Sequence, residues 1–164
     1  MAGPIAAQSI TKVSVMPNIL IKVPTGAFSE LQRERLLKCV SEAAITHERI
    51  GNDPRQRGLC WVLIEEVQAV NWLCGGQDVH AQAIPCIVMV KVPAGVLDQQ
   101  MRKGYVSGLH QAIEQCRGAD DRRVLMTSIQ LTDISDGTWG ANGSIWHLDD
   151  FTRAAGYGHL HPRT

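Results

Sequence analysis

The stretch "VMPNILIKVPTG", residues 15–26, decides how this chain folds. A Met-Pro pair stands directly before a β-branched run, and the run closes on Pro-x-Gly. That pattern reads as a strand that opens after a proline and ends in a turn. It recurs as "VMVKVPAG", residues 88–95, which sets Lys22 opposite Lys91. Further along, "NWLCGG" at 71–76 is echoed by "TWGANG" at 138–143, setting Trp72 opposite Trp139 with nearly the same shift. A near-constant shift means one structural unit used twice.

Each unit continues in the same way. Ser29 with Gln32 makes a capping box, and Leu31, Leu36, Leu37, Val40 and Ala44 recur at helical spacing to about Ile45. In the second unit Asp98 can cap a helix whose stripe is Met101, Tyr105, Leu109, Ile113 and Cys116. Both helices are expected to end near glycine, at Gly51 and Gly118, before the polar connections "NDPRQRG" and "ADDRR". Second strands are expected at 59–67 and 124–131.

Strand, helix, strand in succession implies a parallel pair joined by a right-handed crossover. Two such units give an α/β (α+β) fold: a four-stranded sheet with two helices on one face. The other face still carries Ile, Val and Leu, so association with further subunits is the expected cover. Residues 1–15 form an N-terminal extension with no core pattern, read as a mobile tail. The first βαβ unit is 16–83 and the second 84–143, one compact domain overall. The tail 144–164 is expected to add a short strand at 145–148 and a brief helix after Asp149 or Asp150, either able to clasp a neighbouring subunit.

Composition narrows the function classes. The 164 residues are 45% hydrophobic and 20% charged, with 16 basic against 16 acidic side chains, so the formal charge is zero. Nothing in that balance predicts a nucleic-acid or acidic-membrane partner. The five cysteines are odd in number and never spaced as C-x-x-C. That argues against a disulfide scaffold or zinc knuckle and for a reducing compartment. No apolar run has transmembrane length, and no signal-peptide pattern opens the chain. The reading is cytoplasmic, which makes the sequon "NGS" at Asn142 a chance match.

The Pro-led strand, the "KVPTG" turn, the helix and a second strand running into "IEEVQAVNWLCGG" resemble the tautomerase superfamily, founded on 4-oxalocrotonate tautomerase and macrophage migration inhibitory factor. The doubled unit is similar to its longer, fused members, which include malonate semialdehyde decarboxylase and cis-3-chloroacrylic acid dehalogenase. The resemblance implies a homotrimer without cofactor or metal. It also implies catalysis by the secondary amine of an N-terminal proline, exposed by loss of the initiator Met, acting on a small carbonyl or 2-oxo acid substrate.

The resemblance places that amine on Pro17. A free α-amino group titrates at roughly 7.7 to 8.0, and burial or nearby cations lower it further. Such an amine can move a proton between carbon and oxygen near neutrality. An internal proline cannot, because its nitrogen is an amide. Pro17 is therefore either a catalytic base freed by loss of the Met16–Pro17 bond or a proline tolerated at the first residue of a strand. In the second case the chain is a non-catalytic trimeric binding or scaffold protein. Pro85 opens the second unit in the same style and, being internal, is read as structural.

The resemblance also calls for arginine forks that hold substrate carboxylates. The positions where it places them are Ala27, Trp61 and Val96 here, which counts against a dicarboxylate or haloacrylate. Trp72 falls where the family has an aromatic pocket wall, and Trp139 is its internal copy; both can equally pack subunit contacts. Arg122 and Arg123 can bind an anion or form a solvated strand entrance. Lys22 and Lys91, set within apolar strands, can bind an anion, form an imine with a carbonyl, or guard a strand edge. Glu65 and Glu66 must point to opposite faces, as must Trp146 and His147. "HLHP" at 159–162 offers two histidines but only a weak metal motif. No Ser/His/Asp arrangement, phosphate loop or Rossmann fingerprint is present.

Overall fold

The computed structural model describes residues 17–161. The extension 1–15, Met16 and Pro162 lie outside the described residues. Strands β1 (Asn18–Pro24), β2 (Trp61–Val67), β3 (Ala83–Pro93) and β4 (Val124–Ile134) form one sheet in the order β2-β1-β3-β4. β1 pairs parallel with β2, and β3 parallel with β4; the two units join through antiparallel β1 and β3. The parallel pairs are bridged by α1 (Glu30–Glu48) and α3 (Gln99–Glu114). The expected four strands with helices on one face are what the chain forms.

Alternation along the strands builds the core. Ile19, Ile21 and Val23 of β1, with Ile84, Cys86, Val88, Val90 and Val92 of β3, are buried against Leu36 and Val40 of α1 and Leu109 and Ile113 of α3. The duplication extends to side-chain contacts. Arg33 on α1 donates to the Phe28 carbonyl at 2.9 Å and to Glu66 on β2 at 3.2 Å. Its counterpart Arg102 on α3 donates to the Leu97 carbonyl at 3.3 Å and to Asp133 on β4 at 2.7 Å. Each arginine thus ties a helix to the strand that follows it.

Local chemistry explains where the boundaries differ from expectation. Ser29 and Gln32 do close a capping box, but Leu31, in the first helical turn, is 75% exposed and the buried stripe starts at Leu36. α1 runs past Ile45 to Glu48 and stops at Arg49, whose φ of 57° is left-handed, two residues before Gly51. Asp98 caps α3 as expected, yet α3 ends at Glu114; Cys116 is buried in the turn beyond it, ahead of Gly118. The polar connection "NDPRQRG" holds a short helix, α2 (Pro54–Arg57), capped by Asp53 with Pro54 in its first turn. The N–H groups of Leu59 and Cys60 bond back to Gln56 and Arg57, so β2 begins only at Trp61. β4 continues past 131 to Ile134.

The tail folds onto its own subunit. β5 (Trp139–Ala141) and β6 (Ser144–Trp146) form a hairpin around Asn142 and Gly143, whose φ values of 51° and 82° suit the tight two-residue turn of an Asn-Gly pair. α4 (Leu148–Ala155) starts one residue before Asp149, because Asp136 accepts from the Leu148 N–H at 2.7 Å and Asp150 accepts from the His147 N–H at 2.9 Å. Phe151, Ala155 and Tyr157 are buried, and Gly51 N–H donates to the Ala155 carbonyl at 2.9 Å.

Candidate functional site

The antiparallel join of β1 and β3 sorts the candidate residues between two ends of the sheet. Asn18 lies beside Lys91, and Lys22 beside Ile87. The head of β1 therefore meets the end of β3, while the head of β3 meets the end of β1.

At the first end stands Pro17. It is buried, and its carbonyl accepts from the Trp61 N–H at 2.9 Å. The tail covers this end: His159 Nε2 donates to the Val96 carbonyl just past β3 at 2.7 Å, and Trp139 packs on Phe151 with ring centroids 5.6 Å apart. Lys91 is exposed on the sheet face away from the helices, one register row from Pro17. His159 of the histidine motif is committed to Val96. His147 pairs with Asp136 at 2.9 Å, and that hydrogen bond raises its pKa.

Behind this end lies a polar cluster that the sequence reading passed over. Glu48, the last residue of α1, is fully buried, and the Tyr105 hydroxyl donates to its Oε1 at 2.6 Å. Burial pushes the Glu48 carboxyl up to about 8, against the smaller opposing effect of Tyr105, so it is protonated at neutral pH. Burial and then the Glu48 carboxyl raise the Cys60 thiol to about 12 and lift the Tyr157 phenol well above its usual range. Among the described residues, Glu48 Oε2 and the Tyr157 hydroxyl have no hydrogen-bond partner. Glu48 continues the stripe Val40, Ala44 at a spacing of four, so an acid in phase with a buried face was its sequence signal.

The second end carries Pro85, the third residue of β3. There Trp72, Cys74, Pro85, Ile87, Met126 and Ser128 help line an open cleft of ≈ 290 Å³. The Trp72 carbonyl is held by His80 Nε2 at 2.9 Å, which fixes the turn that carries the indole. Arg122 and Arg123 precede β4 at this end rather than beginning it. Arg123 is spent on Asp121, its guanidinium donating to both carboxylate oxygens at 2.9 and 2.7 Å and holding that carboxyl down to about 2. Arg122 is exposed. Lys22 faces Glu65 at 3.7 Å, while Glu66 turns to Arg33 on the helix side, so the two glutamates do point apart.

The candidate residues therefore do not converge within one subunit. Pro17, Lys91 and Trp139 share one end; Trp72, Lys22, Arg122 and Arg123 share the other. Among the described residues no cluster of three or more His, Cys, Asp or Glu side chains could hold a metal, and no helix is long and apolar enough to cross a membrane.

No family model and no curated protein matches this sequence. Solved structures do match the fold. A fused 4-OT described as a symmetric trimer aligns with a TM-score of 0.63 at 21% identity, over 85% of this chain and 98% of the other. A native fused 4-OT aligns at 0.61 and 16%, over 78% and 94%. Macrophage migration inhibitory factor of Toxoplasma gondii aligns at 0.58 and 16%, over 79% and 99%. The chain has the tautomerase/macrophage migration inhibitory factor fold in its long, fused form.

Proposed function

We propose that the chain is a cofactor-independent tautomerase-type enzyme whose base is the amine of Pro17, freed when the Met16–Pro17 bond is absent. The supporting observation is the seat of Pro17: buried at the head of β1, beside Trp61, at the end of the sheet that the tail and Trp139 close. A secondary amine held there is desolvated, which favours its neutral, basic form near pH 7. It takes the enol hydroxyl proton of a small 2-oxo acid or other enolisable carbonyl and a proton returns to the carbon, an isomerisation with no net change in protons. The related hydration or decarboxylation would use the same amine. Ala27, Trp61 and Val96 supply no guanidinium, so Lys91, on the neighbouring register row, is the cation nearest in the sheet for a single substrate carboxylate.

The working unit is a homotrimer in this reading. Trp61 and Leu63 on β2 and Val124 and Met126 on β4 are exposed apolar side chains on the sheet face opposite the helices, which copies of the chain would cover. Such packing would bring one subunit's Trp72 end towards another's open surface.

A second reading is a non-catalytic trimeric binding or scaffold protein, in which the Met16–Pro17 bond stays intact. The Trp72–Pro85 cleft favours it, because that pocket is built around a proline that is an amide in any processed form beginning at Pro17. Mass analysis of the protein from its native host, followed by phenylenolpyruvate and 2-hydroxymuconate assays on forms beginning at Met1 and at Pro17, separates the two. Activity confined to the short form and lost in Pro17→Ala supports the enzyme. A mature chain that retains Met16 ends the proline mechanism.

A further inference from the structure

The cleft at the Pro85 end differs in chemistry from the Pro17 end. Its floor is four side chains in register, Pro85 and Ile87 on β3 beside Met126 and Ser128 on β4. Strand alternation turns all four to the face away from the helices. Trp72 and Cys74 add a wall that is fixed in advance. His80 Nε2 holds the Trp72 carbonyl at 2.9 Å, and Asp78 accepts from the His80 N–H at 2.9 Å. Cys74 and Gln77 exchange two backbone hydrogen bonds, of 2.9 and 3.1 Å. A pre-formed wall lowers the ordering cost of binding.

Charge decides what this cleft accepts. Among the described residues that line it, none is charged. The cations at this end are spent or stand outside it. Lys22, the register neighbour of Ile87, faces Glu65 at 3.7 Å, Arg123 is held by Asp121 at 2.7 Å, and exposed Arg122 is not part of the lining. A carboxylate that entered would lose water and find no partner. An aromatic ring instead meets the indole of Trp72 and the sulfurs of Met126 and Cys74. The Thr127 hydroxyl is engaged by His110 Nδ1 at 2.8 Å, which leaves Ser128 to serve one polar group of a ligand. At ≈ 290 Å³ the cleft lies at the small end of ligand pockets, which suits one or two fused rings.

We propose that this cleft binds an uncharged, planar aromatic molecule of one or two fused rings with a single N–H or O–H group. Trp72 is its stacking partner and Ser128 its hydrogen-bond partner. The assignment extends the binding reading of the cleft and needs no free amine at Pro17, so its failure leaves the enzyme reading untouched. Met126 belongs both to the cleft and to the sheet face that copies of the chain would cover, so the ligand sits at the margin of the subunit contact.

The test uses the full-length protein, in which Pro17 is an amide, so that binding is read apart from turnover. Two probes with the same ring system, indole and indole-3-carboxylate, are followed by NMR of the four tryptophan side-chain N–H signals. Iodoacetamide labelling mapped by peptide mass gives a second readout. Indole is expected to move the Trp72 signal, assigned with Trp72→Phe, and to slow labelling of Cys74. Labelling of Cys39, which lies in the groove between α1 and α3, should not change. Indole-3-carboxylate should bind at least about tenfold more weakly, and Trp72→Ala should weaken indole by about tenfold. Ser128→Lys, at an exposed position, places an ammonium in the cleft and should reverse the preference between the probes. Two probes that bind alike, or an indole response confined to Trp61, Trp139 or Trp146, would overturn the assignment. So would a Cys74 already shielded before indole is added, which would give the cleft to a second copy of the chain.

Discussion

The Tyr105 hydroxyl donates to Glu48 Oε1 at 2.6 Å across the interface of the two repeats, inside a site that excludes water. Glu48 keeps its proton in the folded chain up to about 8, whereas its ordinary value is 4.5. The folded state therefore binds one more proton than the unfolded state between those values, and stability falls as pH rises through that window. Full stabilisation holds below about 4.5 and is lost by about 8. The slope from this group is at most roughly 1.4 kcal/mol per pH unit. Urea unfolding from pH 5 to 8 is expected to show it, and Glu48→Gln, which cannot ionise, is expected to flatten it. An unchanged slope in the variant would assign the pH dependence elsewhere.

Tyr105→Phe removes the one hydrogen bond given to that carboxyl and leaves both Glu48 oxygens unpartnered among the described residues. The expected loss is about 1–3 kcal/mol, the cost of an unsatisfied buried polar group. The double variant with Glu48→Gln should lose less than the sum, because the two residues share one interaction. A double-mutant cycle in urea reads that coupling.

The fold was legible because two short strings repeat with their turn residues, and the strand and helix periods agree within each copy. Arg33 with Glu66 and Arg102 with Asp133 are that repeat made three-dimensional. The site was less legible for a geometrical reason. A repeat seen in sequence suggests that Trp72 serves the unit containing Pro17. The antiparallel register of β1 against β3 instead carries Trp72 to the Pro85 end and leaves Trp139 at the Pro17 end. Arg123 looked like a free cation because its partner Asp121 lies two residues before it in the turn ahead of β4, where no strand or helix pattern announces the pair. Glu48 was visible in principle as an acid in phase with Val40 and Ala44.

Gly143 closes the β5–β6 hairpin at φ 82°, and a Cβ there would meet nothing within 4 Å. Gly143→Ala should therefore act through the backbone alone, costing about 1 kcal/mol. A modest fall in Tm with unchanged near-ultraviolet circular dichroism is the expected outcome. Gly108→Ala differs, because its Cβ would stand 2.2 Å from His47 Nε2 and force that ring off Tyr105.

The sheet face opposite the helices gives the sharpest test of assembly. Leu63 is 53% exposed on β2, beside partly exposed Trp61, and Met126 is 46% exposed on β4. On a monomer, Leu63→Lys replaces an exposed side chain by one that water solvates, and the expected change in stability is within about 0.5 kcal/mol. In a homotrimer that covers the face, three lysines would be desolvated without partners, at a cost of several kcal/mol. Light scattering behind gel filtration should then show trimers for the parent chain and monomers for Leu63→Lys. Circular dichroism should show the same fold in both. A parent chain that elutes as a monomer would remove the trimer from the proposed function and leave the exposed apolar side chains of this face to a different partner.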